Sequence, residues 1–283
     1  MTIETGEFQG LPVLRIETSL ASAAISLHGG QLLSYAPRVF DDLLWLSPLS
    51  KRAPDAIRGG VPVCWPYFGR EGQSPEVPQH GFARNTQWTL VDSRIDAEGE
   101  ATIELALPQK AGVPLRLSQT LRIGKELHQS LITHNTGLAA VALTQALHTY
   151  FRVGDAERTH VNGLEGLTYA DRYDGQRHTQ SGEWNLQDPR DPGRSDRTYQ
   201  RTGNRFALVD PALNRRIELT TSGSRSLVVW NPGQTGIAAI GDAPRDGWRH
   251  FVCLEAANAG EDVIELEPNG SHTLQQIVSV SPL

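Results

Sequence analysis

Cysteine is scarce: two in 283 residues. Disulfide-dense scaffolds use many more, so Cys64 and Cys253, each set among apolar neighbours, read as buried reduced thiols. Long apolar runs are missing too. Nothing approaches the ~20 residues that cross a bilayer as a helix, so no membrane partner is expected. The start, MTIETGEFQGLPVL, lacks the cationic opening and long apolar stretch of a secretion signal. The expected location is therefore the cytoplasm. Basic tracts are absent, and 26 Lys+Arg against 32 Asp+Glu give a formal net charge of −6. That balance argues against a nucleic-acid partner but leaves room for a small local anion site. There is no C-x-x-C, no H-E-x-x-H and no paired-histidine spacing, so no metal is expected. There is also no P-loop, no dinucleotide fingerprint after a strand and no G-x-S-x-G elbow. No cofactor is implied.

Amphipathic helices are lacking as well. Twenty-seven glycines and seventeen prolines break the chain into short runs. Many of these runs alternate apolar and polar residues, the period of half-buried strands. Ala101–Leu107 is a clear case. Others are Val13–Glu17, Ala23–Leu27, Trp88–Ile95, Leu115–Ile123, Glu126–Asn135 and Val141–Val153. Further along come Arg205–Val209, Arg216–Thr221, Ser226–Trp230, His250–Ala256 and His272–Val280. More than a dozen such segments predict an all-β protein, an antiparallel β-sandwich, here read as one domain over 1–283. The polar stretch Tyr169–Arg201 reads as a long insertion between strands.

The densest chemistry lies between Arg58 and Arg84. RGGVPVCWPYFG (58–69) and PQHGFAR (78–84) hold two arginines, a glutamine, a histidine and four aromatics. Their glycines and prolines exclude a regular helix. A rigid loop with cations and aromatic faces suits a polar, anionic ligand such as a sugar phosphate. Arg58 and Arg84 could grip a phosphate bidentately, or they could simply be solvated or ion-paired. Trp65, Tyr67, Phe68 and Phe82 could stack on a sugar or fill the core.

Two further strands carry candidate acid–base groups. In LTQALHTYFRV (143–153), alternation puts His148 on one face with Thr144, Ala146, Tyr150 and Arg152. This is either a groove face or an ordinary surface. In HFVCLEA (250–256), Phe251, Cys253 and Glu255 share a face, and both faces are largely apolar. A carboxylate there must be paired, protonated or used, and burial would raise its basicity. An ion pair at a strand end is the alternative.

Six segments carry a family resemblance. They are LHGGQLLSYAP (27–37), IRGGVPVCWPYFG (57–69), PQHGFARNTQW (78–88), ALHTYFRVGD (146–155), VVWNPG (228–233) and CLEAANAG (253–260). In this order, across nearly the whole chain, the sequence resembles the hexose-6-phosphate 1-epimerases, a branch of the aldose 1-epimerase (galactose mutarotase-like) superfamily. The resemblance implies a galactose mutarotase-like supersandwich with an open groove. It implies His148 as catalytic acid and Glu255 as catalytic base. It implies Arg58, Gln79 and Arg84 as substrate ligands, with the phosphate on the arginines. Asp196 matches the sugar-binding aspartate, with Asp210 and Asp155 as competitors, and His80 is placed to contact sugar hydroxyls. The implied reaction interconverts the α and β anomers of a hexose 6-phosphate, with glucose 6-phosphate the usual substrate, and the protein is expected to act as a monomer. Two other readings stay open. One is an aldose 1-epimerase of unphosphorylated sugars, which would not need two cations. The other is a non-catalytic carbohydrate-binding protein, which would not need an acid and a base on separate strands.

Overall fold

The computed structural model describes residues 1–70 and 72–283. Strand makes up 49% of the chain and helix 5%. Where apolar and polar residues alternate, the strand takes the expected form. Ala101–Ala106 and Leu115–Ile123 bury every second residue. Their apolar rows line one face of a nine-stranded sheet. Its order is Trp184–Asn185, His160–Asn162, Arg205–Asp210, Arg215–Ser222, Ser271–Pro282, Leu127–Asn135, Leu115–Ile123, Ala101–Ala106, Thr89–Ile95.

A second sheet runs Arg177–Thr179, Thr168–Asp171, Ser195–Gln200, Ser226–Asn231, Phe251–Asn258, Gln145–Leu147, Val63–Cys64, with Tyr150–Arg152 also paired to Phe251–Asn258. Pairing is antiparallel in both sheets. The two sheets pack into a sandwich over one apolar cluster that draws on Leu131 and Leu274 from one sheet and Leu254 and Ala256 from the other. A third sheet, Thr2–Phe8, Leu11–Glu17, Ala21–Ser26 and Gln31–Pro37, adds to the same cluster through Leu14, Ile16 and Ile25. Cys64 and Cys253 are free and buried, as expected.

The polar stretch 169–201 departs from its reading as an insertion between strands. It forms Arg177–Thr179, Trp184–Asn185, Ser195–Gln200 and most of Thr168–Asp171. The strand Ser195–Gln200 is buried at five of its six positions although its sequence is polar. Several of its polar side chains have local partners. Arg197 meets Gln180 Oε1 at 3.0 Å and Asp188 Oδ2 at 2.9 Å. Ser195 Oγ donates to the Val229 carbonyl, and Gln200 Nε2 to the Ala259 carbonyl. Burial of paired polar groups costs little, which is why a hydrophobic pattern is not needed here.

Between the two large sheets runs a chain of buried amides. Gln119 Nε2 donates to the Gly30 carbonyl, Gln129 Nε2 to Gln119 Oε1, Gln276 Nε2 to Gln129 Oε1, and Thr149 Oγ1 to Gln276 Oε1. All four side chains are fully buried. Thr149 thus faces the sandwich interior, and its neighbour His148 faces the other way, into a groove.

Candidate active site

The groove floor is the second sheet, and register decides which side chains meet there. Leu147 lies opposite Ala256 and Tyr150 opposite Cys253, so the intervening His148 comes opposite Glu255. Glu255 in turn pairs with Val228, and Val228 with Thr198. One row along, Tyr150, Cys253, Trp230 and Asp196 are aligned in the same way. The strand carrying His148 is interrupted there, because Thr149 N–H turns back to the Leu147 carbonyl at 2.9 Å. Thr149 still accepts from Leu254 N–H.

The arginine-bearing segment is the edge of this sheet. His148 N–H donates to the Pro62 carbonyl and Tyr150 N–H to the Gly60 carbonyl. Pro62 has no N–H to offer, and an edge position tolerates that. Gly81 closes the segment where its backbone crosses Trp65. Its φ is +71°, and a Cβ there would stand 1.9 Å from the Trp65 carbonyl oxygen. Only glycine fits. The crossing carries His80 and, one turn later, Arg84 to the groove wall.

A cavity of about 240 Å³ results, lined by Arg58, Gln79, His80, Arg84, His148, Asp196 and Glu255. All seven residues singled out in the sequence therefore converge. Asp210 and Asp155 do not. Asp210 is fully buried and accepts from the Gly154, Ala212 and Leu213 amides. Asp155 caps the short 3₁₀ turn Ala156–Arg158. Both have structural partners elsewhere.

His148 and Glu255 are 8% and 1% exposed, and Nε2 of the imidazole lies 3.4 Å from Oε1 of the carboxyl. Their other polar atoms, His148 Nδ1 and Glu255 Oε2, are buried without a protein partner. Burial lowers the His148 pKa to about 3, with the positive charges of Arg84 and Arg58 adding to the effect. Burial raises Glu255 well above the ordinary carboxylate range, reinforced by Asp196 and opposed by Arg172 and Arg84. Asp196 itself is pushed up to about 6, chiefly by burial.

His80 has a defined tautomer. Its Nδ1 accepts from Gly69 N–H at 3.2 Å, and burial holds its pKa well below 6.5. The neutral ring then carries its proton on Nε2. Arg84 donates to the Gln79 carbonyl at 2.7 Å, and its Nε is buried without a partner. Arg58 is more committed. It donates through Nε to Asp242 Oδ1 and through Nη1 to the Tyr150 hydroxyl, each at 3.1 Å. Arg58 is thus an ion-paired arginine that also lines the cavity.

Two cavity-lining side chains, Arg172 and Ile240, carry no site signal read from the sequence. Tyr150 was visible on the His148 face, and its ring stacks on that imidazole at 4.9 Å and 12°. Trp230 meets both rings edge-on. Arg172 lies in the polar stretch, and only the pairing of its N–H with the Asp196 carbonyl brings it to the rim. Among the described residues no group of three or more His, Cys, Asp or Glu side chains is placed to hold a metal ion. Among the described residues no helix is long and apolar enough to cross a membrane.

Comparison with known proteins agrees with this architecture. The family model "Aldose 1-epimerase" matches residues 12–279. The "Putative glucose-6-phosphate 1-epimerase" of Escherichia coli is 35% identical over 275 residues, 94% of this chain and 90% of that protein. The protein of the same description from Cenchrus ciliaris is 30% identical over 262 residues, 87% of this chain and 77% of its own. A crystal structure described as a "putative mutarotase" from Salmonella typhimurium superposes with a TM-score of 0.90 at 29% identity, covering 99% of this chain and 94% of that one. The chain belongs to the aldose 1-epimerase family.

Proposed function

We propose that the protein interconverts the α and β anomers of a hexose 6-phosphate, with glucose 6-phosphate as substrate. The observation that carries this reading is one cavity that holds a buried imidazole–carboxyl pair 3.4 Å apart and is walled by two arginines. The relatives described as glucose-6-phosphate 1-epimerases support the substrate. We also take residues 1–283 as one domain, supported by an apolar cluster that runs from Leu14 to Val278.

In this mechanism Glu255 takes the proton of the anomeric hydroxyl, and His148 gives one to the ring oxygen. The bond between C1 and the ring oxygen breaks and an aldehyde forms. Rotation about C1–C2 offers the other carbonyl face, and reclosure reverses both transfers. Each step needs one acid and one base on the same hemiacetal, and general acid–base catalysis contributes ~10²–10⁴-fold. A basic carboxylate follows from the burial of Glu255. His80, with its Nε2 proton, and Asp196 orient sugar hydroxyls. Arg58 and Arg84 hold the phosphate, which fixes the sugar for both transfers.

The pairing of Arg58 with Asp242 favours a second reading, in which a neutral hexose is the substrate. The two are separated by exchange NMR on α-glucose 6-phosphate and α-glucose. A higher kcat/KM for the phosphorylated sugar is expected. Equal values would favour the neutral substrate.

A further inference from the structure

His148 and Glu255 form an isolated couple. Nε2 and Oε1 face each other at 3.4 Å, and Nδ1 and Oε2 are buried with no other protein partner. One proton shared by such a couple has two places to sit. With the proton on Glu255, both groups are neutral. With it on His148, an imidazolium faces a carboxylate. Only the second arrangement offers a ring-oxygen acid and an anomeric-hydroxyl base at once.

The surroundings of the couple are unequal. Arg58 reaches His148 through one intermediary, because its Nη1 donates to the Tyr150 hydroxyl and the Tyr150 ring lies flat against the imidazole. Arg84 lines the same cavity, and His80 meets His148 edge-on at 5.8 Å. Across the cavity stand Arg172 and Asp196. Cys64 and Cys253 lie in the flanking strands, and burial keeps both thiols protonated. The cations Arg58 and Arg84 both oppose a charge on His148. Glu255 is influenced by Arg84 and Arg172, with Asp196 acting in the opposite sense. Unoccupied, the site favours the neutral pair, since an ion pair in a dry site must overcome desolvation.

We propose that a phosphate dianion bound across Arg58 and Arg84 moves the shared proton from Glu255 to His148, and so arms the couple for ring opening. This rests on the reading of the protein as a hexose-6-phosphate epimerase, and gives the phosphate a second task beyond holding the sugar. The step is a single transfer. The Glu255 O–H bond breaks, the His148 Nε2–H bond forms, and no other reactant takes part. A phosphate monoester carries roughly −1.5 to −2 charge at neutral pH, enough to cancel two guanidinium charges. The repulsion that disfavours imidazolium then disappears. A neutral hexose in the same cavity leaves it in place.

The test is ¹⁵N NMR of imidazole-labelled full-length protein at pH 7, with His148 assigned by the signal lost in His148→Asn. The protein is examined free, saturated with 1,5-anhydroglucitol, and saturated with 1,5-anhydroglucitol 6-phosphate, neither of which can ring-open. His148 is expected neutral in the first two states and imidazolium in the third, a shift of about a hundredfold or more in how the proton divides between the two groups. At saturation, α-glucose 6-phosphate should also turn over at least tenfold faster than α-glucose, a difference in kcat as well as KM. A neutral His148 in the phosphorylated complex overturns the inference, and so does imidazolium in all three states. If glucose 6-phosphate is exchanged normally while His148 stays neutral, only this inference fails. If the phosphorylated analogue does not bind and glucose 6-phosphate is not exchanged, the substrate reading itself fails.

Discussion

Thr149 and Gln276 join the strand segment of His148 to the opposite sheet: Thr149 Oγ1 donates to Gln276 Oε1 at 2.9 Å, at the end of the buried chain of amides that begins at Gly30. Thr149 is the residue beside His148, at the point where its strand is interrupted. The chain therefore fixes the turn that aims the imidazole at Glu255. Thr149→Val removes the donor and leaves a buried oxygen of Gln276 without it. Such an orphan costs ~1–3 kcal/mol. The expected outcome is a stability loss of that size in urea unfolding, and a fall in kcat of about tenfold with KM little changed. A loss of stability with unchanged kcat would mean the chain supports the fold alone.

The pH dependence of stability follows from His148 and Glu255. His148 is depressed to about 3, so between its unfolded value near 6.5 and about 3 the unfolded chain binds more protons. Stability falls as pH falls through that window. Glu255 is raised, so its contribution is present below the unfolded carboxylate value and is lost as pH rises. Glu255→Gln removes a buried ionisable group while keeping its volume. The variant should be more stable than the parent at pH 8, with the advantage shrinking toward pH 4. Chemical denaturation across pH 4–8 measures it. A pH-independent difference would contradict the assignment of Glu255 as a group that burial keeps protonated.

Arg58 is held by Asp242 as well as by Tyr150. Asp242→Asn keeps an acceptor for Arg58 Nε and removes the negative charge. KM for the phosphorylated sugar should fall by about 3- to 10-fold, equivalent to ~1 kcal/mol. KM for free glucose should hardly move. Steady-state exchange kinetics on both sugars at fixed ionic strength decides this.

Gly81 permits the crossing that delivers His80 and Arg84. Gly81→Ala must place a Cβ against the Trp65 carbonyl in a left-handed conformation that costs ~1–2 kcal/mol before any clash. A shifted crossing, with a rise in substrate KM and a lower thermal midpoint, is expected. Gly72, where a Cβ would meet open space, is the control, because its φ of +69° carries the conformational cost alone.

Much of this protein was legible in its residues. Leu115–Ile123 alternates so regularly that its bounds follow from the sequence. The alternation around His148 pointed to the groove face. Ser195–Gln200 was not legible, because its buried arginine, serine and glutamine bond to Gln180, Asp188 and the Val229 and Ala259 carbonyls and leave no apolar period. Arg172 escaped for a related reason, since only its pairing beside Asp196 brings it to the cavity. The facing of His148 and Glu255 depends on sheet register between strands distant in sequence. Periodicity gives each side chain a face but not a partner. Asp242 sits in an irregular segment, where no pattern marks the partner of Arg58.

The most direct test of the mechanism is exchange NMR on the anomers of glucose 6-phosphate with the parent protein, Glu255→Gln and His148→Asn, each checked for its fold by circular dichroism. Both folded variants are expected to lose at least ~10²-fold of the protein-dependent exchange rate, the usual contribution of a general acid or base. Exchange at the parent rate in either variant would contradict the assignment of this pair as the catalytic acid and base.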